Sequence, residues 1–163
     1  MKKTVCAVLM GAAFLAGGLH LDAMDMSTLM ADPVRYRVVT ADEDEIVFAD
    51  MNTMASIQTR DYPVSLENIH VNLYVGHYRD GKQITAMDWT NQNIMSRIDE
   101  YAVQISANRR TNSIAMKPSL TASWKPDGTA LAKTQEKWDG DAEDLYINLQ
   151  LIPPVKTVPG KKA

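Results

Sequence analysis

Residues 69–78 read Ile-His-Val-Asn-Leu-Tyr-Val-Gly-His-Tyr, and this stretch limits the fold more tightly than any other in the chain. Ile69, Val71, Leu73 and Val75 recur at every second position. An extended strand therefore turns them to one face and His70, Asn72, Tyr74, Gly76 and Tyr78 to the other. A helix would spread the same four aliphatic side chains over two sides. Asp80-Gly81 follows, a dipeptide suited to the positive φ of a tight hairpin, so residues 82–89 are expected to return as the partner strand.

The same period-two pattern recurs along the chain. Residues 34–40 and 46–51 flank the acidic turn Asp42-Glu43-Asp44-Glu45 and read as a first hairpin. Tyr101, Val103 and Ile105 alternate with Ala102, Gln104 and Ser106, and Leu120, Ala122 and Trp124 alternate with Thr121, Ser123 and Lys125. Pro126 and Gly128 make a turn after Trp124, so residues 129–134 are expected to return antiparallel. The last segment stays open between two readings. Leu145, Ile147, Leu149 and Leu151 alternate as a strand would, yet Asp141 is placed to cap a helix that sets Leu145 and Leu149 on one face. The fold class is mainly β, an antiparallel sheet.

Lys2 and Lys3 precede a dozen uncharged residues, 5–16, which is the length of a secretory signal core. A membrane span needs about 20 apolar residues. Ala16 and Gly18 suit cleavage before Leu19, with cleavage after Ala23 as second choice. Residues 1–18 thus read as a signal peptide, 19–33 as a flexible polar leader, 34–152 as a single β-rich domain and 153–163 as a Pro/Lys-rich tail. The only cysteine, Cys6, leaves with the signal, so the exported domain is expected to fold without thiol or disulfide and with no stable membrane anchor.

The chain holds 17 basic and 20 acidic side chains, and the signal removes two lysines and no acid, moving the net charge from -3 to -5. With Arg109-Arg110 as the sole basic doublet in the body of the domain, nucleic acid is not an expected partner. There is no Gly-x-Ser-x-Gly elbow, phosphate-cradling glycine loop or His-Glu-x-x-His pair, and Asp99-Glu100 would face opposite ways on a strand. No enzymatic activity and no cofactor are expected. His70 and His77 also fall on opposite faces, against shared chemistry. The acidic runs do not follow the twelve-residue calcium loop and read as solvated turns; a metal, if held, would go to Asp139, Asp141, Glu143 and Asp144. Met24 and Met26 are too few for a copper site. A recognition surface remains, formed by His70, Asn72, Tyr74 and Tyr78 on the less apolar face of the best strand, unless another element covers that face.

Tyr36-Arg-Val-Val, Ile46-Val-Phe-Ala-Asp50 with Thr53-Met54, Glu100-Tyr101, the strands between Ser113 and Trp124, Asp127-Gly128-Thr129-Ala-Leu131, and Trp138 before an acidic turn and Leu145 come in an order that resembles the surface-adhesin protein E-like family of small exported bacterial proteins. The resemblance spans residues 35–151. It implies a curved antiparallel sheet of about six strands with a C-terminal helix packed on it. Family cysteines that tie this helix to the sheet are absent, so Leu145, Leu149 and Trp138 would have to hold it by packing. The expected function is an exported, non-enzymatic binding or cell-envelope interaction module, adhesin-like, with a host extracellular or envelope protein as partner; a periplasmic small-ligand or metal-binding domain is the alternative. Protein recovered outside the cytoplasm should begin at Leu19 or Met24, and mass spectrometry that finds Lys2 and Cys6 still attached would overturn the signal assignment.

Overall fold

The alternation in residues 69–78 belongs to a longer strand at the centre of an open antiparallel sheet. The computed structural model describes residues 23–60, 63, 65–79, 94–133 and 137–151. A short helix α1 (Met26–Ala31) is followed by strands β1 (Tyr36–Ala41), β2 (Glu45–Gln58), β3 (Leu66–Tyr78), β4 (Met95–Asn108) and β5 (Ser113–Trp124), then helix α2 (Ala142–Leu151). The sheet order β1-β2-β3-β4-β5 is the chain order. Each described strand therefore lies beside its sequence neighbour, and β3 has β2 and β4 along its two sides. The Asp80-Gly81 turn and the strand expected over 82–89 lie outside the described residues, as do the signal segment and the tail from 152.

The inward aliphatics of β3 behave as their spacing requires. Ile69, Val71, Leu73 and Val75 join Val47, Ala49, Tyr101, Val103 and Ile105 in a core that Trp138, Leu145 and Leu149 close from above. The disputed final segment is helical. Asp141 Oδ1 accepts the backbone N–H groups of Glu143 and Asp144, and its carbonyl starts the helix at Leu145 N–H. Carboxylates in the first turn also suit the positive end of the helix dipole. Leu145 and Leu149 are buried while Ile147 and Leu151 stay exposed, an outcome only the helical period allows.

No disulfide ties α2 down, and a hydrogen-bond node assists the packing. Buried Glu67 accepts from Tyr146 Oη and Gln150 Nε2 on one carboxylate oxygen, each at 2.8 Å, and from Ser56 and Gln58 on the other. Burial pushes this carboxyl up, but those bonds and the Arg109 charge outweigh it and hold it below the ordinary glutamate value.

The opposite face departs from expectation. Residues 19–33 read as a flexible leader, and Tyr74 and Tyr78 as part of a surface unless another element covers them; the described part of the leader supplies that cover. Met24, Met26 and Leu29 bury against Tyr36, Phe48, Tyr74, Tyr78, Met95, Ile98 and Trp124 as a second core. Asp25 caps the six-residue helix, accepting Thr28 N–H. Arg35 then pins the segment to the sheet through a bidentate pair with buried Asp50 (2.8 Å at its shortest) and through its carbonyl to Met51 N–H. The physical reason is that an aromatic half-sheet needs cover, and the methionines supply adaptable apolar bulk.

Of the strand expected over 129–134, the described residues 129–133 form only a single bridge. The Lys125 N–H bond to Thr129 O, one bridge between Trp124 and Ala130, and Gly128 at φ 84° turn the chain, after which the alanine-rich run offers little for a pleated surface to pack. The two open edges are guarded against further pairing: β1 is short and bulged between Val38 and Thr40, and β5 carries Lys117 and Pro118 in mid-strand. Leu29→Ala should cost about 2–5 kcal/mol if α1 is a true core element. Urea denaturation measures this, and an unchanged midpoint would return residues 23–31 to the status of a loose leader.

Candidate functional site

Beyond the reach of α1, the far halves of β2 to β5 carry their side chains on the same face as Tyr74 in three cross-strand rows. Ala55, His70, Gln104 and Lys117 lie directly opposite one another in the middle row. Ile57, Asn68, Ser106 and Ala115 form the row on one side, where Ser106 Oγ donates to Asn68 Oδ1 at 2.6 Å. Asp50, Asn72, Ala102 and Ser119 form the row on the other. All of these side chains but Asp50, which is buried against Arg35, are exposed or half-buried. Because Ala102 is only a methyl among longer neighbours, a depression of about 300 Å³ opens over it, bordered by Thr53, His70, Asn72, Gln104, Lys117 and Ser119.

The four residues expected to form a recognition surface are divided by this arrangement. His70 is exposed and Asn72 half-buried, both at the depression. Tyr74 and Tyr78 are buried under α1 and take no part in an open surface, which corrects the expectation. Tyr74 Oη donates to Glu100 Oε1 at 3.0 Å, and Asn72 Nδ2 donates to the same oxygen at 3.2 Å. Burial, then the adjacent Glu100 charge, raises the Tyr74 hydroxyl far above its ordinary value, and burial pushes Tyr78 up to about 12. Gln104, Lys117 and Ser119 were missed because their place beside His70 depends on strand register, which alternation alone does not give.

On the α2 face a second polar group gathers where the aliphatic core ends. His77 sits between two carboxylates, with Nε2 3.0 Å from Asp99 Oδ2 and Nδ1 3.7 Å from Glu45 Oε2. Arg97 Nε donates to the same Asp99 oxygen at 2.8 Å, and the Trp138 indole donates to Glu45 Oε1 at 2.8 Å. Gly140 is required here, since a Cβ at that position would overlap the Trp138 ring. Burial raises the Asp99 carboxyl, but His77, Ser123 and the Arg97 charge together hold it below its ordinary value. Burial keeps Glu45 above its own, helped by Asp42 and Asp139 and opposed by Trp138 and His77. Ser123 lies across the strand pair from Asp99, though neither its Oγ nor Asp99 Oδ1 reaches a partner in full hydrogen-bond geometry. The order is wrong for a nucleophile triad: both His77 nitrogens face carboxylates, and the serine faces the aspartate. Asp99 and Glu100 do face opposite sides of the sheet, as their adjacency requires.

Sharing Glu45 and Trp138 with this cluster, a cavity of about 320 Å³ is bordered also by Asp42, Asp44, Asp139, Asp141 and Asp144. Two of these acids are engaged in turn geometry, Asp42 accepting Asp44 and Glu45 N–H groups and Asp141 capping α2. Among the described residues no three His, Cys, Asp or Glu side chains converge to hold a metal, so Asp139, Asp141, Glu143 and Asp144 do not form the set weighed from sequence. Comparison with protein-family models, with curated proteins and with solved structures finds no match for this chain.

Among the lowered carboxyls, Asp99 and Glu67 are the two that are buried, and they set the sign of their part of the pH dependence. Stabilisation from Asp99 and Glu67 is complete above their ordinary values of 3.8 and 4.5 and is lost as pH falls through the lower folded values. Glu45 acts oppositely, its contribution lying in acid and lost as pH rises through its elevated folded value. Asp99→Asn should therefore lose about 3 kcal/mol at neutral pH and show a flatter acid limb. Glu45→Gln, which keeps an acceptor for Trp138, should be neutral or stabilising there. Urea midpoints from about pH 3 to pH 7 test both, and an unchanged acid limb in Asp99→Asn would remove this cluster from acid unfolding.

Proposed function

We propose that this protein is an exported, non-enzymatic binding module that engages another macromolecule, of the cell envelope or of a host surface, through the open polar half of its sheet. The observation that carries the reading is the depression of about 300 Å³ over Ala102, set in a flat array of amide, hydroxyl and basic side chains. A sheet packed against α2 and Trp138 on one face and covered only halfway on the other leaves that array as a ready contact surface. The resemblance to the surface-adhesin protein E-like family supports the adhesin-like form of the reading, since a sheet with a C-terminal helix is the architecture it implies. The signal-like residues 1–18 support export. No helix among the described residues is long and apolar enough to cross a membrane. The acid-lined cavity beside Trp138 is the feature that favours the other reading, a periplasmic small-ligand domain.

Purified protein should be retained on isolated envelope material or on immobilised extracellular-matrix protein. Ala102→Trp, which fills the depression, should weaken retention about tenfold, a loss of about 1.4 kcal/mol. Tyr74→Phe, altered beneath α1, should bind as wild type. Equal retention of the Ala102→Trp protein, with its thermal midpoint preserved, would move the binding surface elsewhere.

A further inference from the structure

The charge of the open array runs against that of the chain. The protein is acidic, at -3 overall, yet the one carboxylate in the three cross-strand rows, Asp50 opposite Asn72, is buried and paired with Arg35, and the open part of the rows carries Lys117 and His70. These two stand in one row with Gln104 between them, two strand spacings or about 10 Å apart. Glu100, the carboxylate nearest along β4, is taken up by Tyr74 Oη and Asn72 Nδ2. Apart from Ile57 and three alanines, the rest of the open surface is amide and hydroxyl, groups that both donate and accept. Its one large exposed apolar side chain, Ile57 at 61% exposure, lies in the outer row away from Ala102.

Resting on the binding-module reading, we infer that the partner is an acidic polysaccharide, with a carboxylate or sulfate group seated over Ala102 between Lys117 and Gln104. Lys117 supplies the charge that an anion needs, and the Gln104 amide and Ser119 hydroxyl supply donors around it. Neighbouring sugar hydroxyls meet the amides of the flanking rows. An acidic peptide fits less well, because peptide recognition draws most of its energy from apolar or aromatic anchors in pockets, and this face presents none at the depression. Attraction through a solvent-exposed lysine is screened by salt, so binding weakens as ionic strength rises.

The test uses the purified protein with polygalacturonate, heparin, neutral dextran and poly-glutamate, measured by calorimetry at low and high salt. Binding to polygalacturonate or heparin, none to dextran, and about tenfold weaker binding by Lys117→Glu and by Gln104→Ala is the expected result. Thermal midpoints of the variants, both altered at surface positions, show that they remain folded. Absence of polysaccharide binding, or equal binding by both variants, overturns the inference. Preference for poly-glutamate that Lys117→Glu abolishes also overturns it and reassigns the same face to an acidic protein. If the polysaccharides fail while Ala102→Trp still weakens retention on envelope material, the binding-module reading stands and only the partner class falls.

Discussion

A strand that is apolar on both sides must be covered twice, and β3 imposes that demand on the rest of the molecule. Its odd-numbered aliphatics require α2 and Trp138, while Tyr74 and Tyr78 require α1 on the opposite face. Neither helix has a covalent tie to the sheet among the described residues. Burial of a large side chain is worth about 1.5–3 kcal/mol, so the pairs Leu145 with Leu149 and Met26 with Leu29 are each substantial against the small net stability of a domain. Polar contacts then fix where the helices lie: Glu67 under α2, and the Arg35–Asp50 pair at the end of the N-terminal segment.

Polar side chains concentrate where the two covers end. Glu67 marks one end of the α2 contact, and Glu45, His77 and Asp99 mark the other. Glu100 stands at the boundary of the α1 contact, joined to Tyr74 and Asn72. Past that boundary the sheet face turns from aromatic to amide and hydroxyl within one step along β3, from Tyr74 to Asn72. The open array is thus the part of the sheet whose sequence asks for no cover.

Period two made β1, β3, β4 and β5 legible from sequence, and the Asp141 cap separated helix from strand at the end. β2, β4 and β5 each run beyond the residues that alternate clearly, 46–51, 101–106 and 120–125, and register shifts between Asp50 and Ala55 and between Glu100 and Tyr101 interrupt the pattern in β2 and β4. α1 escaped notice since a helix of six residues turns only Met26 and Leu29 inward, too few to show a period. Of the six side chains that border the depression, His70 and Asn72 came from one strand's pattern. Gln104, Lys117 and Ser119 did not, nor did the meeting of His77 with Asp99, because partners in neighbouring strands are set by register and bulges that no local pattern encodes.

The position of α1 in the chain also bears on how the molecule assembles. Met26 shares its core with Trp124, so the first described element closes against the last described strand, across about a hundred residues of intervening chain. The hairpins of β2 to β5 join near neighbours and form early, whereas this closure must wait for the complete sheet. During that interval the aromatic face is bare, and a holding chaperone would find there a sticky surface that the finished protein conceals.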